Sequence, residues 1–339
     1  MLYLIPMEHI NWGIIGCGDV TELKSGPAFN KVPNSKLVAV MRRDITKAKD
    51  YAIRHKVPKW YADADLLIND PEVNAIYIAT PPNTHQQYTL AALAAGKSVY
   101  VEKPMAINYN AATTMVLKAA QTNTKLVVAH YRREQPFFKK IKQLLEDKII
   151  GESKLVQLQY YKKVLTREAL EDNRNKWRVN PEISGGGLFH DLAPHQLDLM
   201  YYFFGEAENI NGFSLNQSGM YKADDTVSGN IVFKNGLLFN GIWSFGLPDI
   251  IEKDNCEIVG SKGKISFSIF DCQTITVTTT NKTEVFSFNA LQHVQQPMIE
   301  KVVSYFLGKS PNPCSGNEGA LIMNWMEKMT GNQYLKNNS

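Results

Sequence analysis

The chain reads as an α/β domain with a doubly wound parallel sheet, followed by an α+β domain with a large, predominantly antiparallel sheet and helices. Three observations predict this. From about residue 10 to 129, short apolar runs alternate with helix-compatible stretches, the pattern of βαβ units. From residue 207 onward, strand-like runs follow one another with turn residues between them. At 339 residues the chain exceeds the usual size of one compact core, so two domains are expected, 8–129 and 130–339.

In the first domain the strands are NWGII, KLVAVM, NAIYIAT, KSVYVE and KLVVAH. Residues 134–147 then read as a helix and ESKLVQLQYYKKV as a strand, before a polar segment leads to SGGGLFHDLAPHQLD at 184–198. Beyond 207 come TVSGNIVF, GLLFNGIWSF, CEIVG, GKISFSI and QTITVTTT, with Lys234-Asn235-Gly236 and Ser261-Lys262-Gly263 suited to hairpin loops. GLLFNGIWSF and GKISFSI are apolar at many consecutive positions, which predicts burial on both faces and a homodimer through this sheet. Helical stretches near 293–307 and 317–330 close the chain.

Composition narrows the function. No apolar run approaches the roughly 18 residues that a membrane span requires. The opening MLYLIPMEHINW has no basic region and no small-residue cleavage site, so it reads as a lead into the first strand rather than an export signal. Net charge is +4, with basic residues scattered in pairs rather than in runs, which argues against nucleic acid while leaving room for a local phosphate pocket. Cys17, Cys256, Cys272 and Cys314 form no C-x-x-C pair, as expected of reduced thiols in a cytoplasmic protein without a structural metal.

WGIIGCGDVT places Gly16-x-Gly18 directly after the first strand, where the glycines permit a tight turn and close approach of a pyrophosphate. Gly16, Gly18, Asp19 and Val20 are therefore cofactor candidates on a Rossmann-type unit, although Thr21 holds the third glycine position and Gly26-Pro27 interrupts the ensuing helix. The second strand ends in Arg42-Arg43, where NAD-binding chains usually carry an acid for the ribose. Arginine there accommodates a 2′-phosphate, so NADP is the expected cofactor; Asp44 offers the NAD alternative. ATPPNTH (79–85) adds Thr80, Pro81, Asn83 and His85 at the carboxyl edge of the sheet, with Asn83 or Thr84 able to cap the next helix. Glu102-Lys103-Pro104 closes the KSVYVE strand and points a lysine into the same crevice, where it can polarise a carbonyl.

Within SGGGLFHDLAPHQLD, Asp191 and His195 are four apart and share one helix face. Pro194 is tolerable only in a first turn, which starts this helix near Asp191, with Gly185 to Gly187 as the loop entering it. A histidine that titrates near neutrality can give a proton to a developing alkoxide. His190 and His195 splay by roughly 140° around a helix and do not share a metal; His190 and Asp198 read as structural.

GCGDVT, ATPPNTH, EKP and GGG-x-x-x-D-x-x-x-H, in this order and spacing, resemble the Gfo/Idh/MocA family of NAD(P)-dependent oxidoreductases over essentially the whole chain. The resemblance is to members acting on sugar-like carbonyls and diols. It implies that Lys103, Asp191 and His195 form the catalytic group facing the nicotinamide. It further implies that Tyr131 lies at the mouth of the crevice and that Trp177 and Arg178 approach the nicotinamide amide. The reading is an NADP(H)-dependent oxidoreductase for a sugar, polyol or related carbonyl compound. Two alternatives share the scaffold: a redox-neutral NAD-dependent glycosidase, disfavoured by the arginine tip, and a non-catalytic dinucleotide sensor, disfavoured by retention of all three catalytic candidates.

Overall fold

The computed structural model describes residues 8–331; the lead-in reading of the opening segment falls mostly outside them. The chain forms two compact units, one of residues up to 135 with 291–321, the other of 136–290 with residues from 322 on. The sequence places a single crossing near 129; the structure interleaves the units because residues 291–321 return to the first. Val128 N–H donates to Cys314 O at 3.0 Å, and glycines at 316 and 319 let the last helix lie against Leu126 and Val128. Helical periodicity reports that a helix has an apolar face, not which core receives it.

The first unit holds β1 (Ile10–Ile15), β2 (Ser35–Met41), β3 (Lys59–Tyr61), β4 (Ala75–Ile78), β5 (Ser98–Val101) and β6 (Leu126–Val128). All pair in parallel, in the order β3-β2-β1-β4-β5-β6. Strand order reverses between β1 and β4, and in such a sheet ligands bind beyond the carboxyl ends at that switch point. β4 and β5 are buried at every residue, as a sheet covered on both faces requires.

The second unit holds β7 (Ser153–Lys163), β8 (Ala207–Leu215), β9 (Thr226–Phe233), β10 (Leu238–Leu247), β11 (Lys253–Gly260), β12 (Gly263–Phe267), β13 (Thr274–Thr279) and β14 (Thr283–Ser287). They form one sheet in the order β14-β13-β12-β11-β7-β10-β9-β8, antiparallel except where β7 and β10 run together. Within the single chain one face of GLLFNGIWSF is buried and the other is open. Phe239, Trp243 and Phe245 are buried, whereas Leu238 on the opposite face is 43% exposed and Asn240 and Ile242 are half-buried. The buried face is covered by the helix Gly187–Phe204, with the Phe189 and Trp243 rings 5.1 Å apart and Trp243 Nε1 donating to Gln196 Oε1 at 2.5 Å. Gly212, Gly229 and Gly241 stand in register across three strands on that face. A Cβ on Gly229 would lie 2.6 Å from Met329 Sδ, and one on Gly241 2.4 Å from the Trp243 ring, so the row admits large side chains close to the sheet.

Candidate active site

In the first unit the loops after β1, β2, β4, β5 and β6 carry the cofactor candidates. Gly16 has φ +94°, a left-handed conformation that favours glycine, and a Cβ there would meet Thr80 Cγ2 at 2.7 Å. The turn after β1 is thus packed on the loop after β4. A Cβ on Gly18 would meet only Gly16 O, at 4.0 Å, so the backbone here borders open space. Asp19 and Val20 open the helix Asp19–Leu23, which at five residues contributes little dipole. Thr21 is buried and donates to Gly18 O at 2.8 Å. The close-packing role of the third glycine passes to Gly26, whose Cβ would stand 2.2 Å from both Thr21 O and Tyr51 Oη.

At the β2 tip, Arg42 Nη1 donates to Cys17 O at 3.2 Å, which lays the guanidinium over the glycine turn, while Arg43 is exposed. Asp44 Oδ1 accepts the main-chain N–H groups of Thr46 and Lys47, capping the helix Ile45–Arg54. Its carboxylate is therefore engaged on the helix. After β4, Pro81 is half-buried and Asn83 exposed. Thr84 occupies the N-cap position of the helix His85–Ala94 without capping it, because its hydroxyl turns back to Thr80 Oγ1 (2.7 Å) and Pro81 O (3.0 Å).

His85 is buried, with Nε2 2.7 Å from Thr80 O and Nδ1 3.0 Å from Pro104 O. Both ring nitrogens face main-chain carbonyls rather than outward, and the neutral ring donates its one N–H to one of them. Glu102 faces inward as well, 6% exposed, while Lys103 is half-buried beside it. Tyr131 is buried just past β6, with the Arg132 guanidinium 5.6 Å from its ring centre.

Burial lowers the His85 imidazole to about 4, and burial likewise lowers His190 in the second unit to about 4. Each ring is neutral in the fold and takes up a proton on unfolding below about pH 6.5. Stability from this source is complete above that pH and is lost as pH falls towards 4. Between pH 7 and pH 5 the loss amounts to about 2 kcal/mol per histidine. Denaturant midpoints measured at the two pH values should fall accordingly, by less in His85→Gln; equal midpoints would refute the buried-neutral assignment.

In the second unit the helix carrying Asp191 and His195 runs Gly187–Phe204. Its start lies four residues before the Asp191 start that Pro194 predicts. Pro194 sits in the interior, and the missing N–H is tolerated because the helix is buried from Gly187 to Met200 except at Leu192, so tertiary packing outweighs the lost bond. The three glycines are required one by one. Gly185 is left-handed (φ +89°) and ends the helix Pro181–Ser184; a Cβ on Gly186 would lie 2.0 Å from His190 Nδ1; a Cβ on Gly187 would lie 2.5 Å from Ala223 Cβ. Ser184 Oγ accepts the Gly187 N–H at 2.8 Å.

Asp191 and His195 are 8% and 6% exposed, one helical turn apart. Asp191 Oδ2 accepts from Arg178 Nε at 2.9 Å. The Arg178 guanidinium also lies 4.5 Å from the Trp177 ring centre and donates to Arg174 O. Arg178 thus braces Asp191. The His195 ring meets the edge of Phe270 at 5.8 Å, and Asp254 holds that turn through the Ile269 and Phe270 N–H groups. Phe270, Ala223 and Asp254 escape sequence reading because they come from distant segments with no local signal.

A parallel sheet with a glycine turn at its switch point is the architecture of a dinucleotide-binding domain. The comparisons agree. Residues 10–130 match the model of the GFO/IDH/MocA oxidoreductase family with its NAD-binding Rossmann fold, and 138–266 match the GFO/IDH/MocA C-terminal domain. The chain is 48% identical over 324 residues to Oxidoreductase P35 of Formosa agariphila, covering 96% of this chain and 99% of that protein. It is 27% identical to the trans-1,2-dihydrobenzene-1,2-diol dehydrogenase of Xenopus laevis, over 85% and 83% of the two chains. Levoglucosan dehydrogenase, solved with NADH and levoglucosan, shares the fold at TM-score 0.83 and 20% identity, covering 95% of this chain and 96% of that one. The chain belongs to the GFO/IDH/MocA family of oxidoreductases.

Proposed function

We propose that this oxidoreductase uses NADP(H) to interconvert a carbonyl and a hydroxyl on a sugar, polyol or related small molecule. The observation that carries the reading is the buried Asp191–His195 pair, set one turn apart and braced by Arg178. The bound dinucleotide would supply or accept the hydride. His195 would hand a proton to, or take it from, the substrate oxygen; Asp191 would orient the substrate hydroxyl or the imidazole; Lys103 would stabilise charge on that oxygen. Gly16, Gly18 and Thr80 would hold the pyrophosphate side of the cofactor and Arg42 its 2′-phosphate. Support for NADP comes from Arg42 lying over the glycine turn while Asp44 serves as a helix cap.

The test is incubation with NADPH, NADP, NADH or NAD across keto-sugars, levoglucosan, trans-1,2-dihydrobenzene-1,2-diol and aryl glycosides, recording nicotinamide absorbance and product release. Stoichiometric cofactor turnover with a carbonyl or hydroxyl compound is the expected result. Glycoside cleavage without cofactor turnover would replace the reading with a redox-neutral glycosidase.

The same proposal includes a homodimer through the open face of the second unit's sheet. Support comes from Phe213, Leu215, Val232, Leu238 and Val285, large apolar side chains 39% to 59% exposed. Among them Asn211, Asn230 and Asn240 stand in register, joined by amide hydrogen bonds of 3.3 and 2.8 Å, a polar row that can pair with its own copy. Light scattering at micromolar concentration should give twice 38.2 kDa; a mass near 38.2 kDa would end this part of the proposal.

A further inference from the structure

Glu102 is the first residue of the Glu102-Lys103-Pro104 loop, and its carboxylate is buried within the first unit. Burying a carboxylate is unfavourable unless several donors replace its water. Oε1 accepts from Tyr77 Oη at 2.5 Å and from Gln295 Nε2 at 2.6 Å, while Oε2 accepts the Lys103 main-chain N–H at 3.1 Å. Gln295 is fully buried, and its carbonyl oxygen accepts from Tyr100 Oη at 3.1 Å. That bond fixes the amide: turned over, it would set its oxygen against the Glu102 carboxylate. Burial, followed by the neighbouring Glu102 charge, pushes the Tyr77 and Tyr100 hydroxyls well above their ordinary range, so both remain donors. Gln295 itself is tied through its main-chain N–H to Lys24 O, just past the helix that follows the glycine turn. A residue from the returning segment thus links the pyrophosphate turn to the lysine loop.

We propose that Gln295 and Tyr77 are positioning residues for Lys103: they hold Glu102 so that its second oxygen anchors the lysine main chain at the carboxyl end of β5. This rests on the reading of Lys103 as catalytic. Both residues are fully buried, so their loss should appear in the rate of the chemical step rather than in binding.

The test uses the full chain with whichever probe in the panel above turns over. Gln295→Leu removes the amide at similar volume, and Tyr77→Phe removes one hydroxyl and keeps the ring, which guards against a variant that fails to fold. Each should lower kcat by roughly tenfold, as small misplacement of a reacting group does. KM and cofactor Kd should stay within about twofold, a split that a general loss of structure does not produce. In a Glu102→Gln background, Gln295→Leu should lower kcat no further, because its effect runs through that carboxylate. Lys103→Met in the same series separates the failures. If it abolishes turnover while Gln295→Leu and Tyr77→Phe keep the wild-type kcat, this inference alone falls. If Lys103→Met is also undiminished, the catalytic reading falls and takes the inference with it. Full additivity of Gln295→Leu with Glu102→Gln would likewise overturn the proposal.

Discussion

Lys103→Met or His195→Ala should leave cofactor binding near normal and lower turnover by roughly a hundredfold or more, the usual cost of losing a positioned proton donor or charge stabiliser. Reduction of a carbonyl places negative charge on oxygen as hydride reaches carbon, and that charge must meet a donor already in position. His195 is suited to this because it projects from a buried helix entered through the left-handed Gly185 and through Gly186 and Gly187, which leave no room for a Cβ. Asp191, one turn earlier, is fixed by Arg178 at 2.9 Å. The measurements are steady-state turnover with the active probe and cofactor titration by fluorescence, with unfolding midpoints as the control for intact structure. Undiminished turnover in both variants would remove the two residues from the site.

Arg42→Asp should weaken NADP(H) binding by roughly ten- to hundredfold, the value of charge-assisted hydrogen bonds to a phosphate. NAD(H) should be favoured relative to it. The Arg42 guanidinium lies against Cys17 O in the glycine turn, and Asp44 serves as a helix cap. A new carboxylate at 42 would reach the same region with opposite charge and suit a ribose diol. Isothermal titration with both cofactors decides the matter. Equal affinity of the wild-type protein for NADP(H) and NAD(H) would show that Arg42 does not read the 2′-phosphate.

Much of the fold was legible because periodicity is a local property. TVSGNIVF is β9 to the residue, and both hairpin turns fall where Lys234-Asn235-Gly236 and Ser261-Lys262-Gly263 place them. The three strands that went unnamed explain themselves. β3 spans only three residues, and in β8 and β14 polar residues interrupt the apolar ones, so neither forms an apolar run. The start of the Asp191 helix was misplaced because Pro194 obeys the local rule only where nothing larger opposes it, and a helix buried over thirteen of its residues does oppose it.

The sequence by itself determined the two kinds of sheet, the glycine turn after the first strand, the lysine after the fifth and the one-turn spacing of Asp191 and His195. Each is written within a few residues, by periodicity, by the backbone freedom of glycine or by helical geometry. Tertiary structure alone decided that Gln295 and Tyr77 clamp Glu102, that Phe270 meets His195, that Arg178 turns to Asp191, and that residues 291–321 belong to the first unit. These are pairings between segments up to about two hundred residues apart. They arise because a buried charge or ring must find its partner wherever packing brings one, and no local pattern along the chain records that choice.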